Sequence, residues 1–254
     1  CSVNPFALRE GSKRPLMVNG AGRVVAIVGA GPAGMEAAVT LKQRGFDVVV
    51  FDKRDEIGGN LHVAKKPPFK GKFEWAIDYY KSMAKKLNIT MKLGKEVTAQ
   101  EVLALKPYSI LVATGSNVIS IPLEGLDQVQ TVQAHDVLVN DMQFANKKVV
   151  VIGGGITGLE TALYINRQGT NQVSVVDMLP EWPVDMLDMR YQNEALLEVR
   201  HCNDQGVALF YNNKVVKFAD GKLFIESTKD GEVKELPADV IVLSVGCLLY
   251  TSDA

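Results

Sequence analysis

The feature that most constrains the fold is a strand–turn–helix–strand segment that the chain contains twice. The first copy, residues 24–52, opens with small and β-branched apolar residues, which are typical of a strand buried on both faces of a parallel sheet. The glycine spacing G-x-G-x-x-G follows at Gly29, Gly31 and Gly34, and then a helical segment. A second apolar strand ends at Asp52. This order of strand, turn, helix, strand and acid is far more specific than the glycine spacing alone.

Each position of this pattern has a physical reason in nucleotide binding. The first glycine permits a tight turn, the second lets a diphosphate approach the backbone, and the third lets the helix pack close to the strand. The N-terminus of the helix supplies unpaired N–H groups and a partial positive charge for the phosphates. The acid at the end of the second strand can accept a hydrogen bond from a ribose hydroxyl. The predicted contacts of the first nucleotide are therefore Gly29, Gly31, Gly34, Asp52 and Lys53.

The second copy, residues 147–177, repeats the pattern with Gly153, Gly155, Gly158 and Asp177. A strand-to-helix turn without a ligand is the alternative for either copy, but the repetition of both the glycines and the acid favours two nucleotide sites. A carboxylate at this strand end accepts from a 2′-hydroxyl and repels a 2′-phosphate, so Asp177 favours NADH over NADPH. The repeat predicts an α/β fold with two Rossmann-like dinucleotide-binding domains.

Composition narrows the class of protein. The net charge of −1 gives no electrostatic signature of nucleic-acid binding, so we expect no such partner. No apolar run reaches membrane-spanning length and no secretory signal is visible, so we expect no membrane association. The three cysteines form no C-x-x-C motif and suggest no disulfide framework, which favours a cytoplasmic protein.

Several segments between the two copies carry weaker signals. The apolar run at 109–114 is interpreted as a buried strand. Trp75, Tyr79 and Met83 recur at helical spacing and are interpreted as core residues. His62 is interpreted as a surface histidine.

Two Rossmann units with Ala113-Thr114-Gly115 at the end of a strand resemble the two-dinucleotide-binding flavoproteins of the pyridine nucleotide-disulfide reductase type. The resemblance implies that the first unit binds FAD and that the second, inserted into the first, binds NAD(P)H. It also implies that the segment 237–246 returns to the FAD domain. The further residues that the resemblance places near the flavin are Gly58, Gly59, Asn60, Thr114 and Gly115.

A narrower set of segments, CSVNPFALRE, GGNLHVAKKPPFKGKF and ILVATGS, resembles the C-terminal half of the old yellow enzyme-related iron–sulfur flavoenzymes. That group includes 2-enoate reductase, 2,4-dienoyl-CoA reductase and trimethylamine dehydrogenase. The resemblance implies an upstream (β/α)8 barrel with FMN in the same polypeptide and a 4Fe–4S cluster whose last ligand is Cys1. Hydride would pass from NADH to FAD, and electrons would continue through the cluster and FMN to an enoate-like substrate. A homo-oligomer is a further expected partner state.

The chain departs from the parent family in two places. The redox-active cysteine pair expected soon after Gly59 is replaced by Asn60 and Leu61, so we expect no thiol–disulfide step. The later Gly-Asp segment that contacts the flavin in the family is absent. Two alternatives stay open: an electron-transfer flavoprotein of the glutamate synthase small-subunit type, and a non-catalytic structural domain that binds ADP.

The predicted domain order follows from these segments. A lead-in at 1–22 precedes an FAD-binding domain at 23–145, an NAD(H)-binding domain at 146–236 and the return strand at 237–246. Residues 247–254, CLLYTSDA, have one back-translation that matches a transposon adapter used in library preparation. We expect them to be adapter read-through, with natural residues as the alternative, and the chain to be a fragment truncated at both ends.

Overall fold

The structure is a computed structural model that describes residues 16–180 and 189–249. Cys1, the predicted cluster ligand, lies outside the described residues, as do residues 250–254 of the predicted read-through. The contacts divide the described chain into two compact units. The first comprises residues 16–65, residues 69–116 and Leu249, and the second comprises Lys66–Pro68 and Asn117–Leu248.

The first unit is built on a parallel sheet. Its strand order is β3-β2-β1-β4, with Val25 of β1 paired to Val48 on one side and to Ser109 on the other. Ile27 and Met35 lie fully buried between this sheet and its helices. The elements are β1 Val24–Val28, α1 Pro32–Gln43, β2 Asp47–Phe51, α2 Leu61–Ala64, a 3-10 turn Gly71–Phe73, α3 Glu74–Lys86, β3 Thr90–Lys92, α4 Ala99–Leu103 and β4 Ser109–Val112.

The strand β4 is exposed, so the prediction of a buried strand at 109–114 was wrong. Ile110, Leu111 and Val112 are 40%, 39% and 71% exposed. Within the described residues β4 pairs only with β1, which makes it the edge of the sheet. An apolar strand is buried on both faces only when other elements cover it. An edge strand has a neighbouring strand on one side only, so part of its surface stays exposed.

The buried face of α3 also differs from the prediction. Trp75 is 60% exposed and Tyr79 is 43% exposed, whereas Met83 packs partly buried against the core. Ile77 and Tyr80 form the inward face instead, and burial together with Glu36 raises the pKa of Tyr80 to about 12. At about 100° per residue, Ile77 lies nearly opposite Trp75 on the helix. The spacing of Trp75 and Tyr79 therefore predicted the wrong buried face.

The second unit combines a five-stranded parallel sheet with a three-stranded antiparallel one. Their strand orders are β6-β13-β7-β8-β9 and β10-β11-β12. The elements are β5 Ser116–Val118, a 3-10 turn Leu126–Gln128, β6 Gln130–Gln133, α5 Ala134–Val139, β7 Lys148–Ile152, α6 Ile156–Asn166, β8 Gln172–Val176, α7 Met189–Asp204, β9 Ala208–Phe210, β10 Asn213–Ala219, β11 Lys222–Ser227, β12 Val233–Pro237, β13 Val240–Leu243 and β14 Cys247–Leu249.

The strand β13 is central in the second sheet, which differs from the predicted return of 237–246 to the first domain. Val240 pairs with Gln130 of β6 and with Val149 of β7. All four β13 residues are buried, as expected for a short apolar strand with neighbours on both sides. Because β6 belongs to this sheet, the boundary between the units lies near Ser116 rather than near residue 145.

The predicted α/β class with two Rossmann-like parallel sheets is confirmed. Each glycine-rich segment connects a central strand to a helix and then to the adjacent parallel strand. Within residues 16–180 and 189–249, no helix is both long enough and apolar enough to cross a bilayer.

Candidate nucleotide-binding sites

The first glycine turn has one open position between two closed ones. Gly29 has a φ of +112°, and a Cβ there would lie 2.1 Å from the Ala113 carbonyl oxygen. A Cβ on Gly34 would lie 1.9 Å from the Gly29 carbonyl oxygen. A Cβ on Gly31 would meet nothing closer than the Gly59 Cα at 3.9 Å. The fold therefore requires glycine at the first and third positions, while the second borders free space at the tip of α1.

The N-terminus of α1 is arranged to receive an anion. Gly31 precedes the helix in an extended conformation and Pro32 occupies its first turn, where a missing N–H costs nothing. No side chain caps the helix and the first turn contains no acid. The first N–H groups of a helix have no intrahelical partner, so they and the positive end of the helix dipole remain available to a phosphate.

Asp52 is fixed beside this turn by two backbone N–H groups. Its Oδ2 accepts from Ala30 N at 2.6 Å and its Oδ1 accepts from Arg54 N at 2.8 Å. A carboxylate offers about four lone-pair sites, so both oxygens retain capacity for a ribose hydroxyl. The bonds set the position of the carboxylate before any ligand arrives.

The structure brings four of the predicted residues to one cavity of about 290 Å³. Gly29, Asp52, Lys53 and Thr114 line it. Sequence reasoning missed three others that follow β3. The signal was present, because ligands in open parallel sheets bind beyond the carboxyl ends of neighbouring strands. The missed residues are Lys95, Glu96 and Val97.

Gly58 and Gly59 pack against the first glycine turn. The Gly58 N–H donates to the Ala30 carbonyl at 2.9 Å, and a Cβ on Gly59 would lie 2.8 Å from the Gly31 Cα. Asn60 is exposed and precedes α2. The segment is thus placed beside the open glycine position, and its contact with a flavin stays a prediction, as does that of Gly115.

His62 is not a surface residue, contrary to the prediction. Its side chain is 13% exposed, and Nε2 lies 2.9 Å from the Ile57 carbonyl oxygen and 3.6 Å from a Glu56 carboxylate oxygen. A Cβ on Gly58 would approach the ring to 2.7 Å. His62 therefore braces the loop that carries Gly58.

The second glycine turn repeats the first contact by contact. A Cβ on Gly153, where φ is +107°, would lie 2.2 Å from the Ser244 carbonyl oxygen, and one on Gly158 would lie 1.9 Å from the Gly153 carbonyl oxygen. A Cβ on Gly155 would meet nothing within 4 Å. The helix α6 that follows has no side-chain cap and no acid in its first turn. The same anion-binding geometry is therefore present twice.

Asp177 matches Asp52 in position and bonding. Its Oδ2 accepts from Gly154 N at 2.6 Å and its Oδ1 accepts from Leu179 N at 2.8 Å. It lines a cavity of about 640 Å³ together with Gly153 and Gly155. The remaining lining residues, which sequence reasoning missed, are Ile121, Pro122, Leu123, Ile152, Val176, Met178, Leu179, Asn213, Lys214, Val215, Ser244, Val245 and Gly246.

No metal centre is found in the part of the chain that the structure describes, and the Cys202 thiol is buried. No group of three or more His, Cys, Asp or Glu side chains there could hold a metal ion. Cys202 is buried and its thiol lies 3.8 Å from the Leu159 carbonyl oxygen. Burial, together with Glu198, raises the pKa of this thiol to about 12, which makes it a poor nucleophile at neutral pH.

Comparison with known proteins agrees with this geometry. An NADH oxidase from Thermoanaerobacter brockii is 36% identical over 73% of this chain and 29% of its own length. A cinnamate reductase from Clostridium sporogenes is 31% identical over 98% of this chain and 36% of its own. A solved 2-naphthoyl-CoA reductase complex superposes with a TM-score of 0.82 at 30% identity, covering 97% of this chain and 36% of that one. The chain thus spans about a third of the length of these relatives.

The family assignment rests on a match that covers both units. A family model described as pyridine nucleotide-disulphide oxidoreductase matches residues 23–253, which include both glycine turns and both acids. The chain therefore belongs to the pyridine nucleotide-disulphide oxidoreductase family, oxidoreductases that bind FAD and NAD(P)H.

Proposed function

We propose that this chain is the NADH-oxidising part of a larger flavoenzyme, with FAD bound by the first unit and NADH by the second. The observation that carries the proposal is the pair of glycine turns with the same contacts. In each, the middle glycine borders free space at an uncapped helix tip, at Gly31 and at Gly155. A tight turn without a ligand does not require free space beside its middle glycine, so the free space in both turns supports the binding of a diphosphate at each.

The protein's contribution is binding and orientation. The tips of α1 and α6 would hold the two diphosphates through backbone N–H groups. Asp52 and Asp177, each fixed by two backbone N–H groups, would accept hydrogen bonds from ribose hydroxyls and so set the position of each nucleotide. When bound, the flavin would supply the redox chemistry as the acceptor of a hydride from the nicotinamide, and that chemistry would need no acid or base from the protein.

We assign NADH rather than NADPH as the electron donor. The Asp177 carboxylate would lie next to a 2′-phosphate and repel it, whereas a 2′-hydroxyl can donate to it. The name of one relative, NADH oxidase, supports the same choice.

Beyond the chain itself, we propose that electrons continue through a 4Fe–4S cluster, with Cys1 as one ligand, to FMN in an upstream barrel of the same polypeptide. An enoate-like substrate would be reduced there. The names cinnamate reductase and 2-naphthoyl-CoA reductase support an activated unsaturated substrate. The absence of cysteine at Asn60 and Leu61 excludes the family's dithiol step at that position. We further propose a cytoplasmic protein without a nucleic-acid or membrane partner, able to form a homo-oligomer.

The test is anaerobic reduction of the full-length protein, purified with its cofactors. We expect released FAD at one per chain, and loss of flavin absorbance when NADH is added. The paired control is NADPH at the same concentration, which we expect to act far more slowly. A protein without flavin would leave the ADP-binding structural domain as the better account, and faster reduction by NADPH would contradict the role of Asp177.

The second test concerns the parent protein. We expect the polypeptide upstream of Cys1 to contain a (β/α)8 barrel and three more cysteines at cluster spacing. An iron content of about four per chain would support the cluster. A longer N-terminal region that carries its cysteines without a barrel would favour the glutamate synthase small-subunit type instead.

A further inference from the structure

The second cavity has one cation among its described lining residues, Lys214, and one anion, Asp177. The two come close because β10 begins beside the end of β8. The Asn213 N–H donates to the Asp177 carbonyl oxygen at 2.9 Å, which places Lys214 one residue from that bond. A lysine ammonium is a common phosphate ligand in proteins. Taken alone, it would favour a nucleotide with an extra phosphate.

Lys214 is held by an acid on the neighbouring strand. In the β10–β11 ladder it stands opposite Glu226, and the Lys214 Nζ lies 3.0 Å from a Glu226 carboxylate oxygen. Residues directly opposite each other in an antiparallel pair share one face of the sheet. The side chains are 49% and 33% exposed, so the pair is partly solvated and the lysine stem is free to move if the acid is removed.

We propose that Glu226 is a second determinant of selectivity at the 2′-position of the nucleotide, acting as a positioning residue through Lys214. This inference rests on the proposed function, in which the second cavity binds NADH. Asp177 opposes a 2′-phosphate directly. Glu226 opposes it indirectly, by engaging Lys214, the one cation among the described residues that line the cavity.

The charges make the effect predictable. A 2′-phosphate carries about −1.5 to −2 charges at neutral pH, like other phosphate monoesters. Against Asp177, Lys214 and Glu226 it meets a net charge of −1, whereas without Glu226 it meets a net charge of zero and a free ammonium. A partly exposed ion pair contributes little to stability, so losing it should leave the fold intact.

The same sheet offers a matched control. Lys222 of β11 pairs with Glu235 of β12, and these side chains are 45% and 48% exposed. Neither residue lines the second cavity. Glu235→Gln therefore removes the same charge from the same sheet without freeing a cation at the site.

The experiment measures binding in the full-length protein with its flavin in place, by titration calorimetry. The probes are 5′-AMP and adenosine 2′,5′-bisphosphate, which differ only in the 2′-phosphate. We expect Glu226→Gln to raise the affinity for the bisphosphate relative to 5′-AMP by about fivefold, the size of one solvent-screened charge pair at contact distance. The double variant Glu226→Gln, Lys214→Met should return the ratio to the wild-type value, and Glu235→Gln should leave it unchanged.

An unchanged ratio in Glu226→Gln would overturn the inference, as would an equal rise in Glu235→Gln. Glu226→Thr, which suits a strand, gives a second version of the same test should the glutamine variant be poorly folded. If the wild type binds 5′-AMP but the affinity ratio is the same in the Glu226 variants, this inference fails and the proposed function stands. Wild-type protein that binds neither probe would overturn both.

Discussion

The strands β4 and β13 occupy equivalent positions in the two units but differ in burial. The carbonyl just after each, at Ala113 and at Ser244, abuts the first glycine of its turn. Yet all four residues of β4 are exposed and all four of β13 are buried. The difference is the next strand, because β6 flanks β13 while β4 is an edge among the described residues. The local pattern shared by the two units therefore determines the geometry of the glycine turn, whereas the neighbouring strands determine how far each strand is buried.

The cavities beside the two turns differ in a related way. The first, about 290 Å³, is lined by charged residues that include Lys53, Lys95 and Glu96. The second, about 640 Å³, is lined mostly by apolar residues, and its charged lining residues among those described are Asp177 and Lys214. Under the proposed function, the shared turn contacts a diphosphate in each unit, and the residues after the other strands would distinguish one nucleotide from another.

The largest effect should come from the third glycine of each turn. Gly34→Ala and Gly158→Ala each force a Cβ into a carbonyl oxygen 1.9 Å away, so we expect each to cost about 3 kcal/mol in the free energy of unfolding. Urea denaturation of the full-length protein measures it. Gly71→Ala, with nothing within 4 Å, is the control and should change stability by less than about 0.5 kcal/mol. A tolerated alanine at only one of the two positions would break the equivalence of the turns.

The next effect separates the two strands. Val242→Ala removes a fully buried side chain from β13 and should cost about 2 kcal/mol, the transfer of its methyl groups plus the cavity left behind. Val112→Ala, at a residue 71% exposed, should cost less than about 0.5 kcal/mol. The same denaturation curves report both. Equal losses would mean that β4 is covered in the full-length protein.

Substitution of Asp52 and of Asp177 should have similar effects on stability and different effects on nucleotide binding. Asp52→Asn and Asp177→Asn each leave one backbone N–H facing an amide group, which we expect to cost about 1 to 2 kcal/mol. We expect Asp52→Asn to reduce the amount of FAD that stays bound during gel filtration. We expect Asp177→Asn to lower the ratio of kcat/KM for NADH to kcat/KM for NADPH. A loss of NADH preference in Asp52→Asn would show that the two sites are not assigned correctly.

The smallest effect concerns a second lysine held by a glutamate. Lys95 of the first cavity bonds to Glu101, and that bond, with those from Thr98, lowers the pKa of Glu101 to about 2 from 4.5. Because the folded-state pKa is depressed, the stabilisation is complete above about pH 4.5 and is lost as the pH falls towards 2. The melting temperature of the wild type should therefore approach that of Glu101→Gln over this range. A constant difference between the two would contradict the role of this bond.

Local patterns predicted the turns well because backbone geometry dictates them. Gly29, Gly34 and Asp52 occupy positions where sterics or backbone N–H groups leave few alternatives. Burial was predicted less well. Trp75 is apolar but faces outward, and β4 reads as buried but is an edge, since both outcomes depend on elements distant in sequence.

The cavity linings were also beyond a local pattern. Lys95 follows β3 and Lys214 lies at the start of β10, two strands that carry no motif. The order of the first sheet brings Lys95 beside its glycine turn, and the hydrogen bond from Asn213 N to the Asp177 carbonyl oxygen brings Lys214 beside the other. The strand at 240–243 was assigned to the wrong sheet for the same reason. Its apolar sequence suits any central strand, and pairing with β6 and β7 decides between them.

The central claim is that each turn binds its own redox nucleotide, and one pair of variants tests it most directly. Gly31→Val and Gly155→Val place side-chain atoms in the open space at each helix tip. The nearest atom to a Cβ is the Gly59 Cα at 3.9 Å for Gly31, a Cβ on Gly155 has none within 4 Å, and Gly71→Val is the control. We predict that full-length Gly31→Val loses FAD but still binds 5′-AMP, while Gly155→Val keeps FAD that NADH no longer reduces. Retention of both FAD and rapid reduction by NADH in either variant would contradict the account.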